Sequence, residues 1–339
     1  MNQPTSPPSE LPPSPVMPTI DLSAPGIGHG YLRLPHSSNE SAWGVIQIPL
    51  TVVANGSGPT ALLTGANHGD EYEGPIALHK LASRLRPERI QGRVIIIPAM
   101  NYPAFRAGSR CSPIDQGNMN RIFPGRPDGS VTEKIADFFQ RYLLPEVDYV
   151  LDIHAGGKTL EFLPFAAAHI LPDSAQQARC EAAMRAFAAP YQVLLLEMDA
   201  MGMYDTAAEM VGKVFVSTEL GGGGSASCST VGIAERGIHN FLIHAGILDD
   251  TPKGSDSITL HMPDTRCYSI SEQHGLLEMC VGLGGPVTKG QVLARIYDYT
   301  HTGVVPTEYS AELDGILAGR HFPGLIHNGD CIAVVAVPT

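Results

Sequence analysis

The chain has 339 residues, of which 43% are hydrophobic and 17% are charged, so it can bury a sizeable core and is not composed like a disordered protein. The formal net charge of -12 comes without a basic stripe, which argues against a nucleic-acid or anionic-membrane partner. No apolar run approaches the roughly 20 residues that a membrane-spanning helix needs.

The N-terminal segment and the cysteines indicate where the protein works. Residues 1–25 are rich in Pro and Ser and lack the basic and apolar regions of a signal peptide, so we expect a disordered, solvated tail. The six cysteines are scattered without a CxxC pair, which favours free thiols over disulfides or a cysteine zinc site. Together these features predict a cytoplasmic protein. They leave its oligomeric state open, and a homo-oligomer is one of the alternatives.

Residues 26–250 alternate between strand and helix patterns. Apolar runs predict strands at 30–35, 43–60, 60–67, 92–101, 147–157, 191–198 and 214–224. Helical spacing predicts helices at 74–85, 131–144, 173–190, 205–213 and 230–248. This alternation predicts an α/β domain with a mostly parallel or mixed central sheet that is flanked by helices on both faces.

The C-terminal part has a different pattern. Residues 249–257 are typical of a linker, and 255–339 contain short strands separated by glycine turns without a helical period. The two halves of this segment resemble each other loosely, as in the barrel-sandwich modules of biotinyl and lipoyl carriers. The hairpin tip at 297–303 has no lysine, so a lid or support for the site is favoured over a carrier.

Three polar clusters follow the C-terminal ends of predicted strands: His68 with Glu71, His154, and Glu219. In an open parallel sheet, that edge is where ligands bind. The spacing His-x-x-Glu puts two side chains on one side of a turn, and a histidine from a neighbouring strand completes a ligand set of catalytic Zn²⁺, one ion per chain. The alternative is that Glu71 and Glu73 favour a helix N-terminus while His68 caps the strand.

Two further acids need a partner or a role. Asp152 lies two residues before His154 on the same strand face, so it can hold the tautomer of a ligand histidine; the alternative is a core salt bridge. Glu219 precedes a run of glycines and could take a proton from a water activated by the metal, then deliver it to a leaving amine. The alternative is an ion-paired acid at the sheet edge.

A long segment without periodicity, residues 105–125, carries candidate substrate contacts. Asn120 and Arg121 could grip a substrate carboxylate, and Arg110 could polarise the scissile carbonyl and stabilise its oxyanion. The alternative for each arginine is surface solvation.

Two glycine-rich stretches resemble nucleotide-binding motifs without matching them. Residues 156–159, GGKT, would place the first glycine of a phosphate loop on Asp152. Residues 221–226, GGGGSA, come late in the chain and lack a ribose-binding acid on a following strand. We interpret the second stretch as a loop that allows close approach to the site.

The set His68-x-x-Glu71, Asn120-Arg121, Asp152-x-His154 and Glu219, with "ANHGDEYEGP" and "NRIFPG", resembles the succinylglutamate desuccinylase/aspartoacylase family, relatives of the zinc carboxypeptidases. The resemblance covers about residues 26–339. Within the family, the layout looks most like the N-acetyl-diaminobutyrate deacetylases of ectoine catabolism.

The resemblance implies a zinc-dependent amide hydrolase that acts on small N-acyl amino acids, with a C-terminal β domain capping the site. His68, Glu71 and His154 would be the zinc ligands, and Glu219 the general base and acid. By the same resemblance, Asn120 and Arg121 would grip the substrate carboxylate. In aspartoacylases the carbonyl-polarising arginine lies closer to the Asn-Arg pair than Arg110 does, so Arg106 competes with Arg110 for that role.

Three functions remain as hypotheses. The first is hydrolysis of an N-acyl amino acid, which uses every polar cluster. The second is a carboxypeptidase acting on short peptides, and the third is a non-catalytic metal- or ligand-binding protein, which leaves the Glu219 cluster unexplained.

Overall fold

The structure, a computed structural model, describes residues 11–195, 201–254 and 256–339. The helices are α1 Glu73–Arg84, α2 Tyr102–Ala107, α3 Val131–Phe138, α4 Ser174–Phe187, α5 Tyr204–Met210 and α6 Cys228–His244. The strands of the first part are β1 Met17–Pro18, β2 Gly26–Pro35, β3 Val45–Asn55, β4 Thr60–Gly65, β5 Gly92–Ile97, β6 Tyr149–His154, β7 Leu160–Phe162, β8 Phe165–His169, β9 Tyr191–Leu195 and β10 Val214–Glu219.

The C-terminal part is all β apart from a short 3₁₀ turn at Thr265–Cys267. Its strands are β11 Ile258–His261, β12 Tyr268–Ile270, β13 Gly275–Met279, β14 Pro286–Val287, β15 Val292–Tyr297, β16 Thr307–Ser310, β17 Gly315–His321, β18 Leu325–Ile326 and β19 Cys331–Pro338. Among the described residues, no helix is long and apolar enough to cross a membrane.

The central sheet has four parallel strands in its middle, in the order β5-β4-β6-β10, and antiparallel strands at both sides. The predicted α/β architecture with a mixed sheet and flanking helices is confirmed. The register of the strands determines which candidate site residues are neighbours. Glu219 pairs with His154 across β10 and β6, and Thr64 pairs with Asp152 across β4 and β6. Three of the predicted clusters therefore converge at one sheet edge.

Both faces of the middle strands are buried, which explains their continuous apolar runs. Successive side chains point to opposite faces. Leu63 and Leu151 belong to the core beneath α1, α4 and α6, whereas Leu62 and Val150 belong to the core beneath α3 and α5. Helices on both sides cover the sheet and leave its C-terminal edge for polar residues.

The C-terminal module is joined to the central sheet and is not fully separate. Strand β11 lies between β9 and β19, and β7 from the first part pairs with β17. Strands β13, β15, β16 and β18 form a separate four-stranded antiparallel sheet that packs against β17 and β19. The predicted boundary at residue 255 thus marks a change of pattern within one continuous sheet.

The predicted tail, residues 1–25, is too long. Val16 is 3% exposed and belongs to the same core cluster as Leu32 and Leu34, and Met17–Pro18 pairs with β2. Burial of the apolar Val16 side chain against a neighbouring strand stabilises this part of the segment. A Pro/Ser-rich segment in solvent gains no such stabilisation. Residues 1–10 of this prediction lie outside the described residues, as does the end of the strand predicted at 191–198.

A candidate metal centre and the cavity beside it

The turn after β4 brings the first cluster into place. Ala66 adopts a left-handed backbone conformation, with φ 47°, and the chain then turns through His68 and Glu71 into α1. A Cβ on Gly69 would lie 2.0 Å from the backbone carbon of Ala104, so glycine allows α2 to approach this turn closely. The turn is also joined to the segment that follows α2, because the Gly69 N–H donates to the Ser109 carbonyl at 3.0 Å.

His68, Glu71 and His154 bring their donor atoms within 4.8 Å of one another, and all three are buried. Glu71 lies between the two rings: Oε1 is 2.7 Å from His68 Nδ1, and Oε2 is 2.9 Å from His154 Nδ1. The His68 Nε2 atom is buried without a partner among the described residues. Two imidazoles and one carboxylate, with no thiolate, are a donor set that fits Zn²⁺.

Asp152 holds His154 from the other side. Its Oδ2 lies 2.7 Å from His154 Nε2, and the carboxylate also accepts from Thr64 Oγ1 at 2.7 Å and Asn67 Nδ2 at 2.9 Å. A histidine whose outer nitrogen is bound to a carboxylate keeps one tautomer and one ring orientation. The structure therefore brings Asp152 and His154 together as the spacing predicts, and adds Thr64 and Asn67, which the spacing does not predict.

The ionisable groups of this cluster shift one another's pKa values. Burial raises the pKa of Glu71, but the two neighbouring histidines outweigh it and hold the net pKa well below the ordinary value. Burial lowers the pKa of His154, but Asp152 and Glu71 outweigh it and raise the net pKa well above the ordinary value. Burial dominates at His68, whose pKa is lowered. The cluster thus keeps Glu71 ionised, as a ligand carboxylate must be.

Glu219 lies beside this cluster, and the pKa of its carboxyl group is shifted in the opposite direction from that of Glu71. Burial, together with the nearby charge of Glu71, raises the pKa of Glu219 to about 8. Its Oε2 atom is buried without a hydrogen-bond partner among the described residues, and the residue lines a cavity that also reaches His68 and His154. A carboxyl group with a raised pKa that faces a cavity suits proton transfer.

The two candidate arginines line different cavities, so the structure distinguishes between them. Arg110 lines the same cavity, and its Nη1 lies 3.9 Å from Glu71 Oε1. Arg106 lines a different surface depression, together with His36 and Tyr102. The geometry therefore favours Arg110 over Arg106 as the arginine near the reacting group.

Asn120 and Arg121 also line the cavity, in a short 3₁₀ turn, Met119–Arg121, that sequence periodicity did not show. Asn120 Oδ1 accepts from the Tyr204 N–H at 2.9 Å, and Arg121 Nη1 donates to the Asn120 carbonyl at 2.6 Å. In the described part of the chain, the Arg121 guanidinium has no carboxylate within ion-pair distance.

The cavity has a volume of about 430 Å³. Beyond the polar residues it is walled by apolar side chains from β7, β8 and β9 and by residues of the C-terminal part, among them Leu260, Tyr268, Ala318 and Val334. The sequence did not reveal these lining residues, since short strands such as β8 carry no signal of which face they present.

Two other acids near the turn have structural partners. Asp70 Oδ2 accepts from the Lys158 N–H at 2.9 Å and so ties the turn to the loop after His154. Glu73 accepts from Thr230 Oγ1 at 3.2 Å, and burial raises its pKa to about 7. Both acids therefore connect separate elements around the site.

This mixed sheet, with two histidines and a glutamate at its edge and an acid beside them, defines the class of protein. Residues 57–245 match the succinylglutamate desuccinylase/aspartoacylase catalytic domain, and the chain belongs to that family. It is therefore an enzyme, an amide hydrolase, as the resemblance implied.

Particular relatives cover nearly the whole chain. The N-alpha-acetyl-L-2,4-diaminobutyric acid deacetylase of Halomonas elongata is 57% identical over 331 residues, which are 97% of this chain and 97% of the relative. The product-bound structure of the ectoine utilization protein EutE (DoeB) from Ruegeria pomeroyi has a TM-score of 0.95 at 61% identity, covering 96% of this chain and 100% of that one. A succinylglutamate desuccinylase structure from Silicibacter sp. TM1040 has a TM-score of 0.95 at 56% identity, covering 97% and 100%.

Proposed function

We propose that this enzyme is a zinc-dependent deacylase of small N-acyl amino acids, and that its substrate is N-alpha-acetyl-L-2,4-diaminobutyrate. One observation carries the proposal: His68 and His154 of the His68–Glu71–His154 cluster line the same cavity as Glu219, whose Oε2 atom has no hydrogen-bond partner among the described residues. The substrate is taken from the relative of Halomonas elongata, with which this chain shares 57% identity along almost its whole length.

His68, Glu71 and His154 would hold the zinc, and Asp152 would keep the His154 ring in place. A zinc ion at this site supplies a Lewis acid that stabilises negative charge on the carbonyl oxygen and lowers the pKa of water.

The remaining steps belong to the residues of the chain. Glu219 accepts a proton from the attacking water and later donates it to the departing α-amine, so that free acetate and the amino acid are released. Arg110, at the cavity wall, stabilises the oxyanion that forms on the acyl group. Asn120 and Arg121 bind the α-carboxylate and orient the amide bond.

The experiment is metal analysis followed by assays of released amine with N-acetyl, N-succinyl and N-formyl amino acids. We expect one zinc per chain, loss of activity on chelation, recovery with zinc, and N-alpha-acetyl-L-2,4-diaminobutyrate as the preferred substrate. Glu219→Gln should lower turnover at least about 1000-fold and leave zinc bound. Substantial turnover by this variant would exclude the role of Glu219.

The two other hypotheses give different results in the same assays. A carboxypeptidase would release C-terminal amino acids from short peptides faster than it deacylates N-acyl amino acids. A non-catalytic binding protein would bind ligand stoichiometrically without releasing amine.

A further inference from the structure

The cavity contains a buried acid that the proposed reaction does not use. Asp205, at the start of α5, is 6% exposed and lines the cavity. Glu219 is the other acid among the described residues that line this cavity, and it already has its role in proton transfer.

The contacts of Asp205 with the described residues do not include a cation. Its Oδ1 atom accepts from the N–H and the hydroxyl of Thr206, its neighbour in sequence. Within the described part of the chain, no Lys, Arg or His lies within ion-pair distance of it. Among the other buried acids, Asp137 has Arg141 at 2.6 Å and Asp152 has His154 at 2.7 Å, whereas Asp70 and Glu73, which do not line the cavity, accept hydrogen bonds from neutral groups. A buried carboxylate without a cation is costly unless a ligand supplies one.

The position of Asp205 relative to the proposed carboxylate grip is fixed by the backbone. The Tyr204 N–H donates to Asn120 Oδ1 at 2.9 Å, and the Phe123 N–H donates to the Gly202 carbonyl at 3.0 Å. These bonds hold the first turn of α5 against Asn120 and Arg121. An acid therefore lies next to the cationic end of the cavity, and the remaining wall is largely apolar.

We infer that Asp205 binds the side-chain ammonium of the substrate and so selects amino acids that carry a cation on a short side chain. The pairing is complementary: among the described residues Arg121 has no anionic partner and Asp205 has no cationic one, and an N-acyl diamino acid supplies both charges. The inference rests on the proposed function for placing the amino acid in this cavity. It goes beyond that proposal because it assigns the specificity to one residue.

The first test needs only the unaltered enzyme. N-alpha-acetyl-L-norvaline has a methyl group where N-alpha-acetyl-L-2,4-diaminobutyrate has its ammonium, and the two side chains have the same length. We expect kcat/KM to be about 10- to 100-fold higher for the ammonium substrate, since hydrogen bonds to charged groups are the strong ones. Equal kcat/KM values for the two substrates would overturn the inference.

The second test uses Asp205→Asn, which keeps the shape and removes the charge, with the exposed Asp264→Asn as the matched control. The Asp205 variant should lose about 10- to 100-fold in kcat/KM for the ammonium substrate and change less than about 3-fold for the norvaline substrate. The control should keep the ratio of the unaltered enzyme. An equal loss for both substrates in the Asp205 variant, or no loss for either, contradicts the inference.

Binding measurements separate this inference from the proposed function. Calorimetry compares L-2,4-diaminobutyrate with L-norvaline on the zinc-loaded enzyme, without any turnover. If neither acylated substrate is hydrolysed but L-2,4-diaminobutyrate binds at least 10-fold more tightly, the proposed function fails and the ammonium site stands. If the two amino acids bind equally, the ammonium site fails. If Asp205→Asn does not fold, the same comparison of the two amino acids on the unaltered enzyme still tests the ammonium site.

Discussion

At the scale of single residues, His154 is held on both ring nitrogens. Asp152 lies 2.7 Å from Nε2 and Glu71 lies 2.9 Å from Nδ1. Since Asp152 also accepts hydrogen bonds from Thr64 and Asn67, its carboxylate cannot turn away. The ring orientation is thus determined before any ligand arrives, which is what a preorganised metal site requires.

Asp152→Asn tests this arrangement. The amide keeps the size of the side chain but loses the charge that holds His154, so zinc affinity should fall about 10- to 100-fold. Competition with a chromogenic chelator measures this affinity. Asp128→Asn, at an exposed position, is the control and should bind zinc as the unaltered enzyme does. Unchanged affinity in the Asp152 variant would show that the carboxylate does not support the ligand.

Cys331 provides a pH-dependent test of the cavity wall. It lines the cavity, and burial raises the pKa of its thiol to about 11. Because the thiolate is the reactive form, alkylation should be slow at pH 8 and accelerate about tenfold per pH unit until pH approaches that pKa. The exposed Cys228 and Cys280 should be alkylated first.

Peptide mass spectrometry of iodoacetamide-treated enzyme measures these rates, with Cys331→Ala to identify the peptide. For a thiol, a raised pKa in the folded state also means that this group's contribution to stability is lost as pH rises above the ordinary thiol value. Alkylation of the half-buried Cys331 at pH 8 as fast as that of Cys228 would contradict the raised pKa of its thiol.

At the scale of elements, the approach of α2 to the turn after β4 positions Arg110. Gly69 permits this approach, because any side chain there would meet the backbone of Ala104. Helix α2 has only six residues, Tyr102–Ala107, and was not predicted from the sequence. So short a helix shows no periodicity, and it is the contact with the turn that stabilises it.

Gly69→Ala should destabilise the protein by about 3 kcal/mol and displace Arg110, because the added Cβ would lie 2.0 Å from a backbone carbon. The matched control is Gly232→Ala in α6, where a Cβ meets nothing within 4 Å. That change should be neutral or stabilise by up to about 1 kcal/mol. Urea unfolding measures both. Equal stabilities of the two variants would contradict the close approach of α2.

At the scale of the whole molecule, the cavity is built by both parts of the chain. Strands β7, β8 and β9 supply one wall, and β11, β12, β17 and β19 supply another. The continuous sheet through β9, β11 and β19 holds the two walls together. The C-terminal part therefore bounds the cavity, and its role as a support for the site stays a prediction.

Ala318→Leu, in β17, tests this wall. The larger side chain narrows the cavity, so KM for the preferred substrate should rise about 10-fold while zinc content stays the same. Steady-state kinetics with metal analysis measure the effect. Ser310→Leu, at an exposed position in β16 outside the cavity, is the control and should leave KM unchanged. An unchanged KM in the Ala318 variant would place the substrate elsewhere.

The sequence by itself determined the chemistry of the candidate site and the class of fold. His68 and Glu71 are three residues apart, and Asp152 and His154 are two apart, so local geometry puts each pair on one side of the backbone. Apolar runs and helical spacing likewise depend on neighbours in sequence, and they predicted most of the α/β elements.

Only the tertiary structure decided which distant residues meet. The register of β6 and β10 puts Glu219 opposite His154, the packing of α2 puts Arg110 and not Arg106 in the cavity, and the first turn of α5 places Asp205 beside Asn120. Strand order and packing angles depend on the whole core, and no local pattern carries them. The sequence therefore contained the donors of the site, and the fold selected their partners.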